Sequence, residues 1–196
     1  VDIGGTAIKS LMLDVNSMPV TGFQSHKTPR PATPRRVIET IRGILNGESS
    51  QPDRVSIGFP GIVRHGVTLT APNLHPAWEG RHFSEEMSEI MKAPVRVVKD
   101  AEMHGLGAIT GKGVEMVITL GTGLVSSLFT DGHMVPNLDL GHHPLREGLT
   151  YEEILGKKAL EQNGEPRWAA ALRQAITQLQ STFNYDMLFI GGGNAA

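Results

Sequence analysis

Two short glycine bends, Asp2-Ile3-Gly4-Gly5-Thr6 and Leu120-Gly121-Thr122-Gly123, constrain this 196-residue chain more than any other feature. Each follows an apolar, β-branched run and leads into another, Ile8 to Val15 after the first and Leu124 to Phe129 after the second. Each is therefore expected to be the bend of a β-hairpin. That order argues against a Rossmann unit, whose glycine turn runs directly into a helix. Glycine lets backbone amides approach an anion closely, and Thr6 and Thr122 each add a hydroxyl donor. One Gly-Gly pair alone reads as a simple turn with positive φ. Two Gly-Thr bends in similar settings suggest related lobes that hold a phosphate chain, and hence phosphoryl transfer.

Charge and composition narrow the partners. The 18 Lys and Arg nearly balance the 20 Asp and Glu, which leaves no electrostatic footprint for duplex DNA or an anionic membrane, so neither nucleic acid nor membrane is expected as a partner. With no apolar run of spanning length and no basic leader, a soluble cytoplasmic protein is expected. The absence of cysteine removes disulfides and cysteine-based zinc sites. Val1 stands one residue before the first bend and the sequence stops just after Gly191-Gly192-Gly193-Asn194, so a chain truncated at both ends is expected.

The pattern along the chain predicts an α/β protein in two lobes, residues 1–99 and 100–196, each a mixed sheet with flanking helices. Hairpin strands run to Lys27 and a Pro-rich linker follows. Thr33 then caps a helix with Val37, Ile38, Ile41, Ile44 and Leu45 at helical spacing. Arg54 to Phe59 and Val95 to Val98 read as strands, Ser84 as the cap of a short helix, and Ala101 to about Ile109 as a linking helix. In the second half Glu115 to Leu120 and Leu124 to Thr130 flank the second bend, and Asp131-Gly132 is a strong hairpin signal. Trp168, Leu172, Ala175, Ile176, Leu179 and Phe183 form the stripe of a long helix before a strand at Met187 to Ile190. Trp78 reads as packing. The repeated strand-bend-strand unit suggests an internal duplication.

Transfer of a phosphoryl group to an alcohol needs the phosphates held, their charge offset and a carboxylate to take the hydroxyl proton. Asp100, where a strand leaves the sheet, is the candidate base; the same position suits a helix N-cap. Asp2 is placed to contact phosphate or orient Mg2+ through water, or to bond within its own turn. Asp139, His142 and His143 invite a metal site, but adjacent histidines do not converge easily on one ion, so no protein-built metal site is expected. Asn73, Asn137, Asp139 and His142 are instead the donor and acceptor types that sugar hydroxyls require.

Several motifs in order then resemble the ROK sugar kinases. They are the first bend, Gly58-Phe59-Pro60-Gly61, Pro72-Asn73-Leu74 with Trp78, Asp100, Thr119 to Gly123, Val135-Pro136-Asn137 with Leu140-Gly141-His142, and Ile190 to Gly193. Within that family the stretch from Leu120 through His142 is most similar to bacterial polyphosphate glucokinases. The resemblance implies the actin-like, ribonuclease-H-like ATPase fold, with two lobes closing on glucose or a similar hexose, in a homodimer. It implies a first phosphate motif with Gly4, Gly5, Thr6 and Lys9, and a second with Gly121, Thr122 and Gly123. Gly192 and Gly193 fall in the adenosine-side motif, Asp100 at the catalytic base, and Gly61, Asn73 and His142 around the sugar. The implied donor is ATP, polyphosphate or both, with Mg2+.

Three positions depart from that family's pattern. Lys99 stands where members usually carry an Asn that contacts sugar hydroxyls, Asp139 replaces a Glu, and Val125 replaces a Gly beside the second bend. Lysine cannot accept a hydrogen bond and can depress the pKa of a neighbouring carboxyl. Losing one buried sugar contact at Asp139 would cost on the order of 1–3 kcal/mol. A rival reading is accordingly a catalytically weakened homologue that binds sugar or nucleotide as a regulator.

Overall fold

The structure, a computed structural model, describes residues 1–47, 51–136 and 138–195. The chain divides into two compact units, Val1–Met103 and His104–Ala196. No helix among the described residues is long and apolar enough to cross a membrane.

The first unit contains β1 (Asp2–Ile3), β2 (Ala7–Ser10), β3 (Gln24–Lys27), α1 (Pro34–Asn46), β4 (Val55–Phe59), β5 (Val63–Arg64), β6 (Val67–Thr68), α2 (Phe83–Met91), β7 (Val95–Lys99) and the start of α3 (Asp100–Leu106). Its main sheet has the order β3-β2-β1-β4-β7. The first three strands form an antiparallel meander, β4 runs parallel to β1, and β7 parallel to β4. Ile3, Ile8, Ile57 and Phe59 from the sheet meet Val37 and Ile41 of α1 and Met87 of α2 in one core. In α1 the residues Val37, Ile38, Ile41 and Ile44 recur at three- and four-residue spacing and all are buried. Trp78 is fully buried against Phe59 and Phe83, and its indole N–H donates to the Ala32 carbonyl at 2.9 Å, which ties the 71–78 loop to the Pro-rich linker.

The second unit contains β8 (Val114–Leu120), β9 (Leu124–Thr130), β10 (His133–Val135), β11 (Pro144–Arg146), β12 (Leu149–Thr150), α4 (Tyr151–Leu155), α5 (Lys157–Asn163), α6 (Glu165–Phe183) and β13 (Met187–Gly191). Its sheet order is β10-β9-β8-β13, again an antiparallel meander with a parallel strand added beyond the first. The duplication suggested by the sequence is therefore visible in the strand topology. Asp131 and Gly132 both have positive φ, 49° and 76°, as a two-residue type I′ hairpin requires. Trp168 is buried and donates its indole N–H to the Leu155 carbonyl at 3.0 Å.

Three expectations are corrected. The strand after the first bend stops at Ser10. Beyond it Leu11, Leu13 and Val15 are exposed, and Asp14 closes a local turn by accepting from the Asn16 and Met18 N–H groups. Ser84 lies inside the first turn of α2, His82 takes the cap position, and the Ser84 hydroxyl instead donates to the Val95 carbonyl, fastening the helix to β7. Thr33 takes the N-cap position of α1 with Pro34 starting the helix, as expected, although the threonine side chain makes no cap bond. The linking helix ends at Leu106 instead of Ile109, where Gly107 and Ala108 bond back in tight turns to His104 and Gly105. Helices α4 and α5 had no counterpart in the sequence reading.

Glu115, fully buried at the start of β8, gathers the loop after α3. Its carboxylate accepts from the N–H groups of Thr110, Gly111 and Lys112 and from the Thr110 hydroxyl, at 2.7–3.2 Å. Desolvation pushes its pKa up, but these hydrogen bonds outweigh it and hold the group below the usual glutamate value. A depressed folded pKa stabilises the protein fully above the unfolded-state value, and that contribution disappears as pH falls through the folded value. We expect Glu115→Gln to flatten the acid side of the stability profile measured by urea unfolding between neutral pH and pH ~3. A wild-type and variant difference that does not change with pH would contradict this assignment.

Candidate active site

The site residues expected from sequence fall into two groups, one in each unit. In the first, the bend at Gly4 to Thr6 joins β1 to β2, with Asp2 opposite Lys9 and Ile3 opposite Ile8, so it is the hairpin turn anticipated. Gly4 N–H closes the turn on the Ala7 carbonyl at 2.9 Å, and a Cβ on Gly4 would lie 2.8 Å from that same oxygen. The three carbonyls of the bend are all engaged by the linker. Gly4 accepts from the Thr28 hydroxyl at 2.6 Å, Gly5 from the Arg30 guanidinium at 2.8 Å, and Thr6 from the Thr28 N–H at 2.9 Å. Asn73, from the loop held by Trp78, packs on Gly5, where an added Cβ would stand 3.5 Å from the Asn73 Cβ.

Asp100 begins α3 directly after β7 and accepts its own neighbour's N–H, from Ala101, at 2.7 Å. The preceding residue, Lys99, is half-buried, and its N–H donates to buried Glu102 at 3.0 Å, which fixes the strand-to-helix corner. Gly58 makes room for this corner: a Cβ there would lie 3.2 Å from the Asp100 Cα and 2.7 Å from the Met103 methyl. Gly58 is also the register partner of Asp2, and Asp2 of Lys9. The structure thus brings Lys9, Asp2, Gly58 and Asp100 into one neighbourhood across adjoining elements. Gly61 has a packing reason of its own, because a side chain would run into the backbone of Thr70.

In the second unit the bend joins β8 to β9, with Leu120 opposite Leu124 and Gly121 N–H bonded to the Gly123 carbonyl at 3.0 Å. Its carbonyls are also engaged. Lys157 N–H at the start of α5 donates to Gly121 and Thr122, and the Asn194 amide donates to Gly121 at 3.0 Å. Gly192 packs on the bend, where a Cβ would stand 2.7 Å from the Leu120 nitrogen. Thr119 to Gly123, Val125 and Gly192 line an open depression of about 280 Å³. Val125 is therefore a wall of that depression. Gly193 follows in the same terminal turn, where Ala195 N–H bonds back to Gly192.

Asp139 and His142 lie on a short helical turn fastened to β9 through Leu140 N–H and the Ser126 hydroxyl, and their Oδ2 and Nδ1 are 3.4 Å apart. His143 Nδ1 instead lies 3.1 Å from the Pro144 carbonyl, so the two histidines engage different partners. Asn137 lies outside the described residues. The residue that sequence reasoning missed is Glu152. Its carboxylate lies against both Gly123 and Gly141: the carboxyl carbon is 2.6 Å from where a side-chain carbon on Gly123 would be, and Oε2 is 3.6 Å from the one on Gly141. A signal for it existed: Thr150 and Glu153 form a capping box that sets the start of α4, and Glu152 falls in its first turn.

The sequence model of the ROK family matches residues 1–149. The chain belongs to the ROK family. This ROK chain is 30% identical over 203 residues to polyphosphate glucokinase of Mycobacterium tuberculosis (strain CDC 1551 / Oshkosh), covering 98% of this chain and 76% of that protein. Among solved structures, the inorganic polyphosphate/ATP-glucomannokinase from Arthrobacter sp. strain KM matches with a TM-score of 0.80 at 30% identity, covering 98% and 81% of the two chains. A ROK family glucokinase from Streptomyces griseus, in complex with glucose and AMPPNP, shares the fold at a TM-score of 0.75 and 20% identity, covering 98% and 82%. The fold is that of the actin-like ATPases, as the sequence motifs led us to expect.

Two glycine substitutions separate packing need from open space in this ROK protein. Gly61→Ala forces its methyl into the Thr70 backbone and should cost about 1–3 kcal/mol, whereas Gly5→Ala meets only an ordinary contact at Asn73 and should stay within about 1 kcal/mol. Urea unfolding of the two variants measures the difference, and equal losses would contradict the geometry.

Proposed function

We propose that the protein is a sugar kinase that transfers the terminal phosphoryl group of polyphosphate or ATP to the 6-hydroxyl of glucose or a similar hexose. The observation that carries this reading is the pair of glycine bends, each with carbonyls already bonded to neighbouring residues, so that a phosphate held there would meet amides and the Thr6 or Thr122 hydroxyl. The relatives named above are sugar kinases, and two of them are described by polyphosphate. In this reading Gly4, Gly5, Thr6 and Lys9 hold donor phosphates from the first unit. Gly121, Thr122 and Gly123 hold them from the second, with Gly192 and Gly193 beside the adenosine when ATP is the donor.

Asp100 takes the proton of the 6-hydroxyl as that oxygen attacks the terminal phosphorus; the bond to the bridging oxygen breaks, and ADP or a shortened polyphosphate leaves. Asn73, Gly61, Lys99, Asp139, His142 and Glu152 surround the sugar in this reading. Lys99 serves as a donor to a hydroxyl, since an ammonium has no acceptor. Mg2+ supplies charge neutralisation on the donor phosphates. No group of three or more His, Asp or Glu converges on one point among the described residues. An ion carried by donor oxygens and one or two carboxylates does not require such a group, and Asp2 is the carboxylate placed for it. A homodimer working in the cytoplasm completes the proposal.

The test is glucose 6-phosphate formation by wild type and Asp100→Asn with each donor, next to glucose binding by calorimetry. We expect the variant to lose about a hundred- to ten-thousandfold in kcat while still binding glucose. Unchanged turnover would overturn the base assignment, and a wild type that binds glucose without forming product would favour the regulatory reading.

A further inference from the structure

Charge in the first unit runs against the charge of the whole chain. The complete sequence carries a net charge of −2, yet residues 1–36 hold the five cations Lys9, Lys27, Arg30, Arg35 and Arg36 against only two carboxylates, Asp2 and Asp14. The fold gathers four of the five beside the first glycine bend. In the β2 and β3 ladder Ala7 is opposite Lys27 and Lys9 opposite Ser25. Opposite residues of an antiparallel pair share a face, and Ile8 and Ser10 are the buried ones, so Lys9 and Lys27 stand together on the outer face. Their positions are offset by two residues along the ladder, roughly 7 Å.

Of the two arginines, Arg30 belongs to the linker and Arg36 to the first turn of α1. Arg30 donates to the Gly5 carbonyl, and Arg36 donates to the Arg30 carbonyl at 2.7 Å. Each guanidinium carries five N–H donors in a fixed fork, so one bond to a carbonyl orients it while further donors are available for an oxyanion. Arg35 is directed elsewhere, to Glu39 at 2.9 Å. Of the two carboxylates, Asp14 is occupied in the turn beyond β2, and Asp2 lies opposite Lys9 at the inner end of the row.

A nucleoside triphosphate presents three phosphates and then a neutral sugar and base. An inorganic polyphosphate continues with a negative charge on every unit, and so gains from cations placed beyond the bend that holds its reacting end. We propose that Lys9, Lys27, Arg30 and Arg36 form a track for the distal phosphates of inorganic polyphosphate, leading away from the Gly4 to Thr6 bend. The inference rests on the phosphoryl-transfer reading and specifies its donor. The track adds affinity for long chains and little for ATP, because only a long polyanion reaches its outer members.

The test compares the full chain with Lys27→Gln/Arg36→Gln, and with Lys27→Arg as a charge-keeping control, in calorimetry with tripolyphosphate, long-chain polyphosphate and ATP at low salt. Far-UV circular dichroism and the melting temperature check that each variant is folded, and Lys27→Glu alone replaces the double variant should Arg36→Gln disturb the linker. Long-chain polyphosphate should bind the neutralised variant roughly tenfold more weakly, with a smaller loss for tripolyphosphate and a long-chain to ATP affinity ratio that falls accordingly. Lys27→Arg should bind as wild type does. No polyphosphate binding by wild type, equal Kd values in wild type and variant, or an equal loss for ATP would each overturn the track. Glucose 6-phosphate formation is measured in parallel: its absence with both donors refutes the kinase reading, while the binding comparison still decides the track.

Discussion

Each glycine bend in this protein is fixed through its carbonyl oxygens. A bend made of glycine is the most mobile kind of backbone, and ordering it costs conformational entropy on the order of 1–2 kcal/mol per residue. Hydrogen bonds worth roughly 0.5–1.5 kcal/mol each offset that cost when several act on consecutive residues. Here Thr28 and Arg30 act on Gly4, Gly5 and Thr6, and Lys157 and Asn194 act on Gly121 and Thr122. Once the oxygens are held, the direction of each peptide dipole is set before any anion arrives, which is the condition for electrostatic preorganisation.

The two units share strands but not clamps. Both use an antiparallel meander with a parallel strand added beyond the first. The first unit holds its bend with a Pro-rich linker, itself anchored by the Trp78 indole on Ala32. The second uses the beginning of α5 together with an asparagine from the segment after β13. Glu152 adds a further difference, since a carboxylate rests on Gly123 of the second bend while a guanidinium and a hydroxyl serve the first. Repetition of the sheet is therefore compatible with different chemistry at the two bends.

What could be read from the sequence was what depends on neighbours in the chain. Both hairpins, the Asp131-Gly132 turn and the apolar stripe of α6 follow from spacing and turn chemistry alone. The end of β2 was misjudged because Leu11, Leu13 and Val15 look like strand residues, and nothing local says that no core covers them. Ser84 has the composition of a cap, but a partner on β7 claims its hydroxyl. Helices α4 and α5 are too short to show a clear period, and Glu152 matters only because the fold carries it to glycines that are 29 and 11 residues away in sequence. The family motifs identified most of the candidate residues, whereas Glu102 and Gly58 gain their significance from the corner at Asp100, which is a three-dimensional fact.

The two tryptophans of the chain are divided between the units, Trp78 in the first and Trp168 in the second, each buried with its indole nitrogen on a backbone oxygen. Nature has in effect given each half its own optical probe. Intrinsic fluorescence of single-tryptophan versions would report the melting of one half without interference from the other, and would reveal whether the halves come apart in one cooperative step or in two.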